Sequence, residues 1–198
     1  MSLFYVFKLF YLILPIILGG ISNMILMKLP VLESLKIPMD RGKVLGDGKR
    51  LFGDNKTWKG FVGMIIVTSI WMGIFGFLFE HFSWAREVSI LPYGEFEFPL
   101  DEWFYGAFWG LGYVLFELPN SYIKRRLEIA PGEQARGPWG FFFGFLDQSD
   151  SVIGCLIFML LFFVPTPLEA LVIFLLGTGS HYFVNLLLYL VGLKSQAG

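Results

Sequence analysis

Residues 60–79 read GFVGMIIVTSIWMGIFGFLF, twenty residues without a single charge. That length matches the ~20 helical residues needed to cross a ~30 Å hydrocarbon core, and it is too long for a buried strand. Outward from it lie four more apolar stretches that are long enough, or nearly so: Leu3–Met27, with Lys8 near its start and Pro15 as an expected kink; Trp103–Leu118, short and expected to extend upstream; Ser149–Val164; and Leu168–Leu193. Pro165-Thr166-Pro167 marks a tight reversal between the last two. The expected fold is an all-α integral membrane protein, a five-transmembrane-helix bundle forming one domain over residues 1–198. The composition agrees. It is 56% hydrophobic with 23 Phe, and charged residues make up 16%, against about 25% in soluble domains. A soluble chain of this size has no core large enough to hide so much apolar surface, so the bilayer must solvate part of it.

Charge is segregated. Thirteen of the fifteen Lys and Arg residues lie in two loops, 28–59 and 119–148, and a short tail that carries Lys194. The first loop holds Lys28, Lys36, Arg41, Lys43, Lys49, Arg50, Lys56 and Lys59; the second holds Lys124, Arg125, Arg126 and Arg136. Segment 80–102 between them has Arg86 against six acids. With five spans, the positive-inside rule makes both basic loops and the C-terminus cytoplasmic and the N-terminus external, in a multi-pass protein of the inner membrane. Trp71, Trp84, Trp103 and Trp109 fall near expected boundaries, as interfacial anchors do. The N-terminal apolar run is too long for a signal peptide. The single cysteine, Cys155, permits no intramolecular disulfide and reads as a packing residue. Gly106/Gly110 and Gly140/Gly144 have the GxxxG spacing of close helix packing.

The polar clusters all lie in the basic loops or next to them. Gly46-Asp47-Gly48-Lys49 is followed by Gly53-Asp54-Asn55-Lys56-Thr57. Glycines let backbone N–H groups approach an anion, and lysine adds positive charge. The P-loop spacing fails at both lysines, and a loop lying on anionic lipid is the plainer alternative. A helix starting near Pro119 would put Ser121, Lys124 and Arg125 on one face, suited to phosphates or simply to anchoring the chain. Asp147 and Asp150 are spaced i, i+3 at the entry of the fourth apolar stretch. They offer two hard oxygen ligands for Mg²⁺, which takes one or two carboxylates plus substrate phosphates; helix capping is the alternative. Glu117 has three open roles: completing a metal site, pairing with a loop lysine, or facing water. His81 and His181 read as structural, and Asn185, four residues from His181, is placed to hydrogen-bond with it. No nucleophile–base pair is evident, so covalent catalysis is disfavoured.

Ser121-Tyr122-Ile123-Lys124-Arg125 followed by Asp147-Gln148-Ser149-Asp150-Ser151 resembles the C-terminal signature of CTP-dependent lipid-phosphate cytidylyltransferases, which include the CDP-diacylglycerol synthases. The closer likeness is to the small CDP-archaeol synthases, through Gly53-Asp54-Asn55-Lys56-Thr57-Trp58-Lys59-Gly60 and Leu118-Pro119-Asn120-Ser121. Where the diacylglycerol enzymes have Lys-Asp and His-Gly-Gly, this chain has neither and carries Gly137-Pro138-Trp139-Gly140; Gln148 stands where they have Arg.

The resemblance implies cytidylyl transfer from CTP to a membrane lipid phosphate, with pyrophosphate released. It implies Mg²⁺ on Asp147 and Asp150, and Lys124 and Arg125 as catalytic cations. Gly53, Asp54, Lys56, Thr57, Asn120, Ser121 and Arg126 would bind substrate. The implied partners are CTP, the lipid phosphate and the bilayer; nucleic acid is not expected, and a homodimer stays open. A diacyl acceptor remains an alternative. From another class, a transporter of a phosphorylated anion would use the same loops, but only Thr178, Ser180, His181 and Asn185 lie well inside a span as a polar path. A membrane scaffold would leave the clustered acids unexplained. CDP-alcohol phosphotransferases need aspartates after Asp-Gly that Asp47-Gly48 lacks.

Overall fold

The computed structural model describes residues 1–96, 101–133, 135 and 137–192. Arg136, Lys194, Glu97 and the expected end of the last span at Leu193 lie outside the described residues. Among the described residues there are five long α-helices and one short one: α1 (Leu3–Lys28), α2 (Trp58–His81), α3 (Ser83–Val88), α4 (Glu102–Arg126), α5 (Pro138–Met159) and α6 (Pro167–Leu190).

Local chemistry starts each long helix. Ser2, Thr57 and Asp101 cap α1, α2 and α4 by accepting the backbone N–H three residues on. Thr166 and Glu169 form a reciprocal capping box for α6, with Pro167 at the first helical position. Gly137, with φ +64, precedes Pro138 at the start of α5. Of these helices, α1, α2, α5 from Trp139, and α6 are long and apolar enough to cross a membrane. On α2 the exposed Ile66, Ile70, Ile74 and Phe77 form one stripe, whereas the buried face carries Gly63, Met64, Thr68, Met72 and Gly76. Large β-branched and aromatic groups on the exposed face, with glycines and a threonine among the buried ones, fit a lipid solvent.

Four expectations change. The helix carrying Ser121, Lys124 and Arg125 does not start near Pro119: α4 runs unbroken from Glu102 through Pro119 to Arg126. The fourth apolar stretch begins at Pro138 rather than Ser149, because the glycines and Asp147 of its first half dilute the apolar signal without breaking the helix. Asp147 and Asp150 therefore sit well inside α5, and neither caps its N-terminus. Trp109 is fully buried and donates to the Cys155 carbonyl at 2.9 Å, while Trp71 bonds Ser22 at 2.9 Å; of the four expected anchors, Trp84 and Trp103 are exposed.

The five long helices close into a ring, α1 on α2, α2 on α4, α4 on α5, α5 on α6 and α6 on α1. Glycine sets the tightest seams. A Cβ at Gly106 would lie 2.8 Å from the Thr68 carbonyl oxygen, and one at Gly110 would lie 2.8 Å from that of Met64. Gly112 and Gly154 bring α4 and α5 together in the same way, Gly112 beneath Phe158 and Gly154 against Phe116 and the Gly112 carbonyl. Gly140 and Gly144 make no such helix contact: Gly144 has open space around it, and Gly140 faces only the Ala135 carbonyl. At one end of the ring, Leu91 and Tyr93 of the 80–96 segment pack on the core with Phe79 and Phe96. Both basic loops meet at the other end.

Gly110→Leu is expected to cost about 1–3 kcal/mol through overpacking against backbone. That would lower the thermal midpoint in detergent by roughly 2–10 °C, while Gly144→Leu leaves it unchanged. Equal midpoints for the two variants would refute the α2–α4 seam.

Candidate active site

The ring encloses a cavity of about 520 Å³. Its polar mouth is lined by Lys56, Thr57, Glu117, Asn120, Ser121, Lys124, Arg125, Asp147 and Asp150, and its floor by Ile13, Ile16, Met64, Trp109, Met159 and Ile173. Helical spacing explains the mouth. Glu117, Asn120, Ser121 and Lys124 share one face of α4, and Asp147 and Asp150 share one face of α5. The glycine seam between these helices brings the two faces together.

The Asn120 amide donates to Asp147 Oδ1 and to Asp150 Oδ2, each at 2.7 Å. Lys124 Nζ lies 2.8 and 2.6 Å from the two Asp147 oxygens, and its ammonium stands over the buried Phe143 ring. Lys56 enters from the first loop and meets Glu117 at 2.5 Å. Burial alone would depress the Lys56 ammonium, but Glu117, Asp150 and Asp147 outweigh it, and its pKa is raised. Of Glu117's three open roles, the structure shows the lysine pair.

Arg125 is buried, lines the cavity, and its Nε and Nη1 have no hydrogen-bond partner among the described residues. A guanidinium in this state is costly unless an anion meets it. Ser121 is buried beside it, and Thr57 lines the mouth while capping α2 through the Gly60 N–H at 3.2 Å. Asn120 Oδ1 is likewise buried without a partner. Two carboxylates with an amide between them form a hard oxygen donor set. Among the described residues no three His, Cys, Asp or Glu side chains cluster for a metal, which leaves room for water and substrate phosphates beside the two carboxylates. That combination fits Mg²⁺.

Three expected site residues lie elsewhere. Arg126 turns away from the cavity, pairing with Asp47 at 2.8 Å and donating to the Arg50 carbonyl. Asp54 is exposed and pairs with Arg50 at 2.9 Å. Gly53 does not line the cavity but adjoins it at φ +113: a Cβ there would meet Pro131 Cγ at 2.7 Å and lie 3.4 Å from Arg125 Nη1.

Sequence reasoning missed Asp40. Its buried carboxylate accepts from the Gly42, Phe52 and Gly53 amides at 3.0 Å each and from Arg50 at 2.7 and 3.2 Å. Lys49 donates to the Arg126 carbonyl at 2.7 Å and reaches Glu128 at 3.1 Å. The loops are thereby clasped to each other and to the end of α4. Asp40 sits in a Pro-Met-Asp-Arg-Gly stretch, where an Asx turn before glycine was the available signal. His181 and Asn185 do not bond each other as expected: His181 contacts the Gln148 carbonyl and Tyr113 at 3.2 Å each, and Asn185 donates to Gln148 Oε1 at 2.8 Å.

The fold and site define a helical membrane bundle whose cavity joins a carboxylate pair and a cationic mouth to an apolar floor. The chain belongs to the CDP-archaeol synthase family, whose model matches residues 2–197. It is 33% identical over 158 residues to the CDP-archaeol synthase of Thermofilum pendens, covering 79% of this chain and 64% of that one. It is 31% identical to that of Thermococcus kodakarensis over 192 residues, 96% and 95% of the two chains. A solved structure of an intramembrane enzyme for archaeal membrane lipid biosynthesis shares the fold, with a TM-score of 0.57 at 23% identity over 86% of this chain and 90% of that one. The protein is a multi-pass membrane protein.

Burial works against ionisation of Asp40, but Arg50 and the three amides more than reverse it, and its pKa is held well below the usual carboxylate range. A depressed carboxylate stabilises at every pH above its unfolded value of about 3.9, and that stabilisation is lost only as pH falls through the folded value. The Phe52 and Gly53 amides should therefore keep their hydrogen-exchange protection from about pH 8 to about pH 4 in the parent, and Asp40→Asn should lose it throughout. Equal protection in the variant would show that the clasp does not depend on the carboxylate.

Proposed function

We propose that this protein transfers a cytidylyl group from CTP to a membrane lipid phosphate of the 2,3-di-O-geranylgeranyl-glycerol 1-phosphate type. The products are pyrophosphate and a CDP-activated lipid for phospholipid synthesis. The observation that carries this function is the Asp147/Asp150 pair, bridged by Asn120 and ringed by Lys124, Lys56 and the unpaired Arg125 guanidinium, directly above an apolar cavity. Family membership supports a CTP-dependent cytidylyltransferase.

The acceptor phosphate oxygen attacks the α-phosphorus of CTP. The bond from that phosphorus to the bridging oxygen breaks, and pyrophosphate leaves. The acceptor is already ionised at neutral pH, so no side chain need remove a proton. Arg125 and Lys124 neutralise charge that builds on the phosphates, by positioning and electrostatics. Lys56 and Thr57 face the nucleotide phosphates. Gly53 and Asp54 shape the loop that delivers them, and Arg126 ties that loop to α4. Asn120 and Ser121 orient substrate, and the apolar floor takes the lipid chains. Asp147 and Asp150 would hold Mg²⁺, which supplies Lewis-acid neutralisation of the triphosphate.

All five long helices span the bilayer, α4 included. At 25 residues it is long enough to reach across, although glycine, aromatic and polar side chains lower its apolar character. Both basic loops and the C-terminus then face the cytoplasm and the N-terminus lies outside, in the inner membrane.

Purified protein given α-labelled CTP and Mg²⁺ is expected to label unsaturated archaetidic acid. Label in diacyl phosphatidic acid instead would keep the chemistry and change the acceptor, and label in neither from folded protein would overturn the function. Asp150→Asn should abolish transfer while the protein still inserts and folds; full activity would remove the metal assignment. Lys124→Ala should lose roughly 10²–10³-fold in turnover, and an unchanged rate would return this lysine to an anchoring role.

A further inference from the structure

Glu117 is a cavity-lining carboxylate that the chemistry above does not use. It lies one turn deeper on α4 than Asn120 and Ser121, on the same face, and meets the Lys56 ammonium at 2.5 Å. The Lys56 backbone is fixed independently. Its carbonyl accepts from the Met39 N–H at 2.8 Å, and its own N–H donates to the Gly53 carbonyl at 3.3 Å. Its long, flexible side chain therefore needs a partner to set where the charge rests. Asp150 and Asp147 also attract that ammonium. Without Glu117, the opposite charges that still act on it are the two carboxylates that the nucleotide site requires.

We propose that Glu117 is a positioning residue: it holds the Lys56 ammonium off the Asp147/Asp150 pair and keeps it for the nucleotide phosphates. This rests on the cytidylyltransferase function above. The arrangement follows from charge balance at the mouth. Asp147 already has Lys124 on both oxygens. Asp150 is held by Asn120 and the Ser151 amide. Lys56 is paired with Glu117, so among the described residues the Asp150 oxygens carry no ion pair. When the triphosphate arrives, Lys56 can turn to it, and Glu117 returns the ammonium to its place after pyrophosphate leaves.

The test is a double-mutant cycle on Lys56→Met and Glu117→Gln, read both as the CTP dissociation constant by calorimetry and as label transfer. Glu117→Gln alone is expected to weaken CTP binding and lower kcat/KM for CTP by roughly 10–100-fold, with KM for the lipid phosphate unchanged, because a positional role acts through one partner. In the Lys56→Met background the same change should have no further effect. Glu117→Asp, which keeps the charge, should recover part of the loss and remains usable if Glu117→Gln fails to fold. Additive losses, a raised lipid KM, or a Glu117→Gln enzyme within about twofold of the parent would each overturn the proposal. The calorimetric cycle does not need turnover, so it stands apart from the label-transfer result that decides the function itself.

Discussion

Two carboxylates three residues apart inside a helix bundle repel each other, and the rest of the site is organised around that repulsion. Asp147 and Asp150 are tolerable because the Asn120 amide donates to both and Lys124 covers one of them. In a low-dielectric interior each such bond counts for more than it would in water, and each unmet charge costs more. The bridge demands that α4 and α5 approach closely and in one register. Gly112 and Gly154 permit the approach, and the continuous α4 carries Asn120 and Lys124 to the right depth. A second glycine seam, Gly106 and Gly110 of α4 against α2, then sets where α4 itself stands.

The loops solve a different problem. A basic segment at a membrane surface has many conformations, and a nucleotide site needs one. Asp40 selects it by gathering three backbone amides and Arg50 on a single buried carboxylate. Arg126, Asp47 and Lys49 join this folded loop to the end of α4, and Gly53 lets it lie against Pro131. Much of the positive charge is thus spent on internal ties. Lys56 and Arg125 are left in the cavity, and Arg125 keeps two unpaired guanidinium nitrogens there. A polyanion entering the mouth would meet a prepared cation and lose little to reorganisation.

Sequence alone determined the solvent and the chemistry on offer. Uncharged runs near twenty residues call for a bilayer, helix is the backbone that satisfies itself there, and the i, i+3 spacing of Asp147 and Asp150 puts both on one helix face whatever the surroundings. The motifs around Lys56, Asn120, Lys124 and Asp147 pointed to lipid cytidylyl transfer, and the family comparisons agree. What only the tertiary structure decided was partnership. Periodicity does not say that Glu117 would take Lys56 from 61 residues away, that Arg126 would face Asp47 while Arg125 faces the cavity, or that Asp40 would hold a loop together. Nor did apolarity find the start of α5, whose first half mixes glycine with aromatics. Helix and membrane insertion depend on local composition, which a chain carries everywhere along its length. Charge pairing depends on which surfaces the glycine seams bring together, and that is settled only when the helices close their ring.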